Sequence, residues 1–195
     1  MNYLAHIYLS GTNKEVLIGN FIADAIKGKG WQNYPPEVQK GIKLHRAIDD
    51  FTDTHEIVRR SKDKLRGRYG HYSGVIVDIF YDHFLAKGWE EFHSEPLGEF
   101  VQHTYTFLQE NEHRFPDRIR HLLKYMVMNN WLYHYQSMEG VKNVMFGMSK
   151  RTKYDSGMEN STDELREYYH EFKHEFETFF PLLMEFSEST IASIE

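Results

Sequence analysis

The sequence predicts an all-α protein. Apolar residues recur at helical spacing along almost the whole chain. No segment shows sustained strand-like alternation between turn residues. Hydrophobic residues make up 41% and aromatic residues 15%, enough to fill one buried core. At 195 residues the chain has the length of one domain, expected to span residues 1–195 as a single compact unit. About seven to nine helices are expected from the start and stop signals.

A short first helix covers roughly Tyr3 to Leu9, and Ser10-Gly11-Thr12-Asn13 breaks it and caps a second helix that runs to about Lys27. Gly28-Lys29-Gly30 ends the second, and Pro35-Pro36 suits the first turn of a third. The stripe of that third helix, Val38, Ile42, His45, Asp49 and Thr52, begins apolar and turns polar on the same face. A basic helix near His55–Arg66 closes at Gly67 and Gly70, and Ser73 or Gly74 opens another that continues to about Lys87. Later helices are expected from Pro96 to Glu112, Asp117 to Tyr135, Met138 to Lys150 and Thr162 to Ser189, the last kinked at Pro181. The stretch Thr152–Ser161 is linker-like but too short to separate two domains.

A net charge of −6 and a pI near 6.1 argue against nucleic acid as a partner, because phosphate neutralisation needs a dominant basic face. The chain has no cysteine, which excludes thiol nucleophiles and Cys-ligated zinc, so any metal must be held by His and carboxylates. No apolar run approaches the ~18 residues of a membrane span, in keeping with a mean hydropathy of −0.63. The first residues lack the cationic region of a secretory signal. A cytoplasmic protein with no membrane partner is expected.

Residues four apart share a helix face, so His45 with Asp49, and Asp78 with Asp82, each project two potential ligands in one direction. Asp24 lies among Phe21, Ile22, Ala25 and Ile26, where a carboxylate needs a partner, and His6 has a similar setting. Carboxylate oxygen mixed with imidazole favours Mn²⁺, with Mg²⁺ possible, over calcium. Asp53 either joins the group or caps the following helix, capping being the preferred reading. Arg46 lies about 100° round the helix from His45; it reads equally as a phosphate contact or as a salt bridge to Asp49 or Asp50. Arg59, Arg60, Lys62, Lys64 and Arg66 concentrate positive charge that can steer an acidic partner.

Four ordered motifs together resemble the acyl carrier protein phosphodiesterase family. They are Met1-Asn2-Tyr3-Leu4-Ala5-His6, Gly19-Asn20-Phe21-Ile22-Ala23-Asp24, Gly41-Ile42-Lys43-Leu44-His45-Arg46-Ala47-Ile48-Asp49 with Thr52-Asp53, and Asp78-Ile79-Phe80-Tyr81-Asp82-His83-Phe84-Leu85. The resemblance implies hydrolysis of the phosphodiester that joins 4′-phosphopantetheine to a serine of holo-acyl carrier protein, with a divalent cation, typically manganese. It implies an acidic carrier protein as partner, and a helical fold likened to that of HD phosphohydrolases. The chain lacks an adjacent His-Asp dipeptide and offers His45-x-x-x-Asp49 and the reversed Asp82-His83. Asp24, His45, Asp49, Asp82 and His83 are accordingly expected to be catalytic. The first, second, third and fourth of these are the expected metal ligands, and His83 is a candidate proton donor to the leaving serine, alongside Arg46 or a second cation as charge stabiliser.

Two other readings are kept. One is a non-enzymatic helical module that binds an acidic carrier protein, its His and Asp residues forming a hydrogen-bonded network. The other is a ferritin-like di-iron bundle, since Glu110/His113, Glu167/His170 and Glu171/His174 have Glu-x-x-His spacing.

Overall fold

Two glycines that touch across a helix pair set the geometry of the molecule's functional end. The computed structural model describes residues 1–150, 152 and 154–194; these are helical with no strand among them. The N-terminal helices are α1 (Tyr3–Tyr8), α2 (Lys14–Ile22), α3 (Pro36–Thr54), α4 (Glu56–Tyr69) and α5 (Ser73–Lys87). They are followed by α6 (Trp89–Phe92), α7 (Leu97–Glu110), α8 (Asp117–Met128), α9 (Trp131–His134), α10 (Met138–Ser149), α11 (Thr162–Glu167) and α12 (Tyr169–Ser193). Eight of these helices are seven residues or longer, the all-α architecture expected from periodicity.

Helices α2 and α3 pack backbone to backbone. A Cβ on Gly19 would fall 2.0 Å from the Val38 carbonyl oxygen, and one on Gly41 would fall 2.1 Å from that of Val16. Only glycine admits this approach, and it carries the polar end of α2 up against the middle of α3. Around this pair Leu4, Ile18, Ile22, Ile42, Ile48 and Phe80 are fully buried, part of one continuous apolar core. Helix α5 runs through that core, with Ile76, Ile79, Phe80, Tyr81 and Leu85 all inaccessible to solvent. Helix α12 covers one side of the core with Phe172, Phe176, Phe179 and Phe180.

Several boundaries differ from the sequence reading. Helix α2 stops at Ile22, and Ala23–Ala25 form a 3-10 turn, so Asp24 sits on a turn rather than within a helix. The expected helix from Asp117 to Tyr135 is divided at Asn129-Asn130, where Asn130 adopts a left-handed conformation with φ 45°. The long C-terminal helix is broken at Tyr168 and then continues through Pro181. The cap of α4 is His55, whose Nδ1 accepts the Ile57 amide at 3.2 Å, so the preferred capping role for Asp53 is overturned.

Candidate metal centre

Four elements converge on one cleft. Helix α1 contributes His6, the turn after α2 contributes Asp24, α3 contributes His45 and Asp49, and the second turn of α5 contributes Asp78. His6, His45 and Asp49 each place a potential ligand atom within 4.8 Å of the others, and they are the one such group among the described residues. The Asp49 carboxylate lies between two imidazoles, with Oδ1 3.2 Å from His6 Nε2 and Oδ2 3.2 Å from His45 Nε2. Asp24 Oδ1 lies 3.3 Å from His45 Nε2 at the exposed rim. The α-amino group of Met1 is 3.0 Å from Asp78 Oδ1 and 3.9 Å from Asp49 Oδ1.

The two rings are stacked, with centroids 4.0 Å apart and planes 18° from parallel. Two imidazolium ions at that spacing repel, and the environment separates their titrations. Burial, reinforced by the charge of His45, lowers His6 to about 4, so its ring is neutral at pH 7. Burial also works against a charge on His45, but Asp24 and Asp49 outweigh it and raise His45 to about 9. Burial opposes the charge of Asp49 as well, yet hydrogen bonds from His45 and His6 hold its carboxyl far below the usual carboxylate range. Asp24 is lowered chiefly by its hydrogen bond from His45.

Asn20 orients the centre and was missed as a functional residue in the sequence. It is buried, its amide donates to the His6 carbonyl oxygen at 2.9 Å and to Ser10 Oγ at 3.0 Å, and its Oδ1 accepts from His45 Nδ1 at 3.0 Å. With the amide committed as donor, its oxygen faces His45 and fixes the proton on Nδ1, which turns Nε2 toward the carboxylates. The signal was present in Gly19-Asn20, where an amide next to a helix-contact glycine lies on a buried face.

The structure thus brings together Asp24, His45 and Asp49 and adds His6 to them, a residue the sequence reading noted but did not place in the ligand set. It does not bring Asp82 to the cleft. That carboxylate accepts the first amides of α1, from Leu4 at 2.7 Å, Asn2 at 3.3 Å and Ala5 at 3.4 Å, and burial pushes it up to about 7 against those donors and the Met1 ammonium. His83 points elsewhere too: its Nδ1 donates to the Tyr135 carbonyl at 2.6 Å and its ring lies against Phe84 and Tyr169. Arg46 does not line the cleft; its guanidinium donates to the carbonyls of Ile26 at 2.9 Å and Gly28 at 3.3 Å, holding the loop after Asp24. Asp53 lines the cleft and pairs with Lys62 at 3.3 Å. In the basic run, Lys64 is paired with Glu175 at 2.5 Å, while Arg59, Arg60 and Arg66 are exposed on α4. None of the Glu-x-x-His pairs forms a cluster with metal-ligand spacing among the described residues.

The donor set fits a divalent cation. It combines a neutral imidazole, a second imidazole with its Nε2 directed at carboxylates, and an ionised carboxylate between them, and a buried amide fixes one ring as in established metal sites.

Comparison with known proteins bears on what such a centre does. The profile of the family described as "Acyl carrier protein phosphodiesterase" matches residues 1–183. The chain is similar to the acyl carrier protein phosphodiesterase of Escherichia coli strain K12, being 31% identical over 189 residues that cover 94% of this chain and 96% of that protein. It is similar to that of Yersinia pestis at 30% over 185 residues (94% and 96%), and to that of Photorhabdus laumondii at 29% over 190 residues (97% and 96%). No solved structure matches.

Proposed function

The chain belongs to the acyl carrier protein phosphodiesterase family, and from that premise we propose that it hydrolyses the bond between phosphopantetheine and the serine of holo-acyl carrier protein, with His6, His45 and Asp49 holding a divalent cation. The observation that carries the reading is the Asp49 carboxylate held between two imidazole Nε2 atoms at 3.2 Å each. Manganese suits this mixture of nitrogen and oxygen donors, and magnesium is the alternative. Such an ion lowers the pKa of a water molecule and polarises a phosphoryl oxygen.

The chain's own residues prepare that chemistry. Asn20 holds the His45 ring so that Nε2 faces the cleft. Burial keeps His6 neutral; its Nε2–H donates to Asp49 in the metal-free protein, and a shift of that proton to Nδ1 would leave the Nε2 lone pair for a cation. His45 carries a proton on Nε2 in the metal-free protein and gives it up when that nitrogen becomes a ligand. Asp24 Oδ1, exposed at the rim, is placed to accept a hydrogen bond from an attacking water. Asp82 and His83 are not assigned chemical steps, since their polar atoms serve α1 and the Tyr135 carbonyl.

The proposed partner is the acidic carrier protein, docked against Arg59, Arg60 and Arg66 on α4, with Lys62 and Lys64 between them. Lys62 pairs with Asp53, which lines the cleft, so this surface adjoins the cleft. Action in the cytoplasm agrees with this reading, and no helix of the described residues is long and apolar enough to cross a membrane. The test is release of phosphopantetheine from holo-carrier protein by wild type and by Asp49→Ala. Release by wild type and its loss in Asp49→Ala are expected. Retained turnover in Asp49→Ala defeats the metal assignment, and tight binding without release favours a non-enzymatic module.

A further inference from the structure

A second depression, about 550 Å³ in volume, opens from the cation cleft, which is itself about 260 Å³. Tyr3, Asp24, Val75 and Met148 line both. The larger space lies within the ~300–1,000 Å³ usual for small-molecule sites. Its walls are largely apolar and come from separate elements: Leu122 and Tyr125 on α8, Trp131 on α9, Met148 on α10, and Tyr72 in the turn before α5.

Helix α8 has two faces. Leu123 and Met126 are buried in the core, Ile119 is buried at the floor of the groove, and Arg118, Leu122 and Tyr125, spaced four and three apart, form a stripe along it. Leu122 is half-buried and packs against the edge of the core, while Tyr125 is 51% exposed. The two ends of the cleft also differ. Asp53 and Asp78 line the cleft but not the groove, and Asp53 leads through Lys62 to the basic helix α4. Asp24, Tyr3 and Met148 lie where cleft and groove join.

A phosphodiester seated in the cleft has two substituents to direct outward. One is a protein serine, whose acidic carrier is drawn to α4. The other is a flexible, uncharged chain with two amides and branched methyl groups. We propose that this groove binds the pantetheine arm of the substrate, with Leu122, Tyr125, Trp131 and Met148 as its specificity-determining wall. The assignment rests on the phosphodiesterase reading for the identity of the arm. Apolar walls suit the arm's methyl-bearing segment, and the exposed Arg118 offers hydrogen bonds to its amide oxygens.

The test uses the full-length protein and free pantetheine. Titration followed by tryptophan fluorescence is expected to give a saturable change in wild type that is lost in Trp131→Phe. Leu122→Trp fills a half-buried groove position and is expected to weaken binding by about tenfold or more, as a blocked subsite does. Tyr125→Ala removes a largely exposed ring, leaves the α8 core stripe intact and is expected to weaken binding severalfold. In both groove variants KM for holo-carrier protein rises more than kcat falls. Absence of a saturable change in wild type, or unchanged affinity in both Leu122→Trp and Tyr125→Ala, overturns the groove assignment. Saturable binding that the variants weaken, combined with no release of phosphopantetheine from carrier protein by wild type, supports the groove and defeats the reaction on which its naming rests.

Discussion

His45 holds the most consequential proton in the molecule. Its folded-state pKa is raised from 6.5 to about 9, so the stability it contributes is fully present below pH 6.5 and is lost as pH rises through 9. A shift of that size corresponds to at most about 3 kcal/mol. The metal-free protein should therefore lose stability between pH 6.5 and 9, read from chemical denaturation, and His45→Gln should flatten the slope. The same proton opposes cation binding. Titration of Mn²⁺ at pH 7.5 in buffers of different ionisation enthalpy should show release of about one proton, because a ligating imidazole must be deprotonated. No proton release would mean that His45 is not a ligand. Asn20 acts on the same ring: Asn20→Leu should weaken Mn²⁺ binding by about 10- to 100-fold, the usual effect of losing a ligand's orienting partner, while leaving the helical circular dichroism unchanged. The sequence made His45 and Asp49 legible because four-residue spacing aligns them on α3. His6 lies on a different element with no spacing relation to His45, so its place beside Asp49 became visible only in the packed structure.

At the scale of elements, the joint between α2 and α3 makes the centre possible. A methyl group added at Gly41 would sit 2.1 Å from the Val16 carbonyl and 2.7 Å from the Asn20 amide nitrogen, both backbone atoms. Gly41→Ala should thus push the helices apart at a cost of about 1–3 kcal/mol or more, the range for overpacking, and displace Asn20 from His45. Thermal denaturation checks the cost, and Mn²⁺ affinity checks the displacement. An unchanged affinity would show that the centre does not depend on the joint. Asp82 plays its part at this scale as well. Its side chain is fully buried and spans from α5 to the first amides of α1. Its apolar sequence surroundings correctly signalled a need for partners, but burial alone does not distinguish a metal ion from three backbone amides as the partner. Helix periodicity predicted the long segments well. It overran at Asp24 and at Asn130, where a 3-10 turn and a left-handed residue end helices whose apolar pattern continues.

The whole molecule carries −6 charges yet gathers cations on α4. If an acidic carrier protein docks there, Arg59→Glu with Arg60→Glu should raise KM by about tenfold at low salt and flatten its salt dependence, with little change in kcat. An unchanged KM would move the docking surface off α4. That the chain is all-α was readable from periodicity and composition, since both are distributed along its length. The groove beside the cleft was not readable, because Tyr125, Met126 and Met128 look alike as sequence. Only packing separates a buried Met126 from a Tyr125 left on the groove and a Met128 that is 71% exposed.

The most direct test of the centre is anomalous scattering from a crystal of the wild-type protein soaked in Mn²⁺. The account predicts a manganese peak bounded by His6, His45 and Asp49, with Asp24 at its open side. A protein that releases phosphopantetheine in a manganese-dependent reaction yet shows its peak elsewhere, or none, would contradict it.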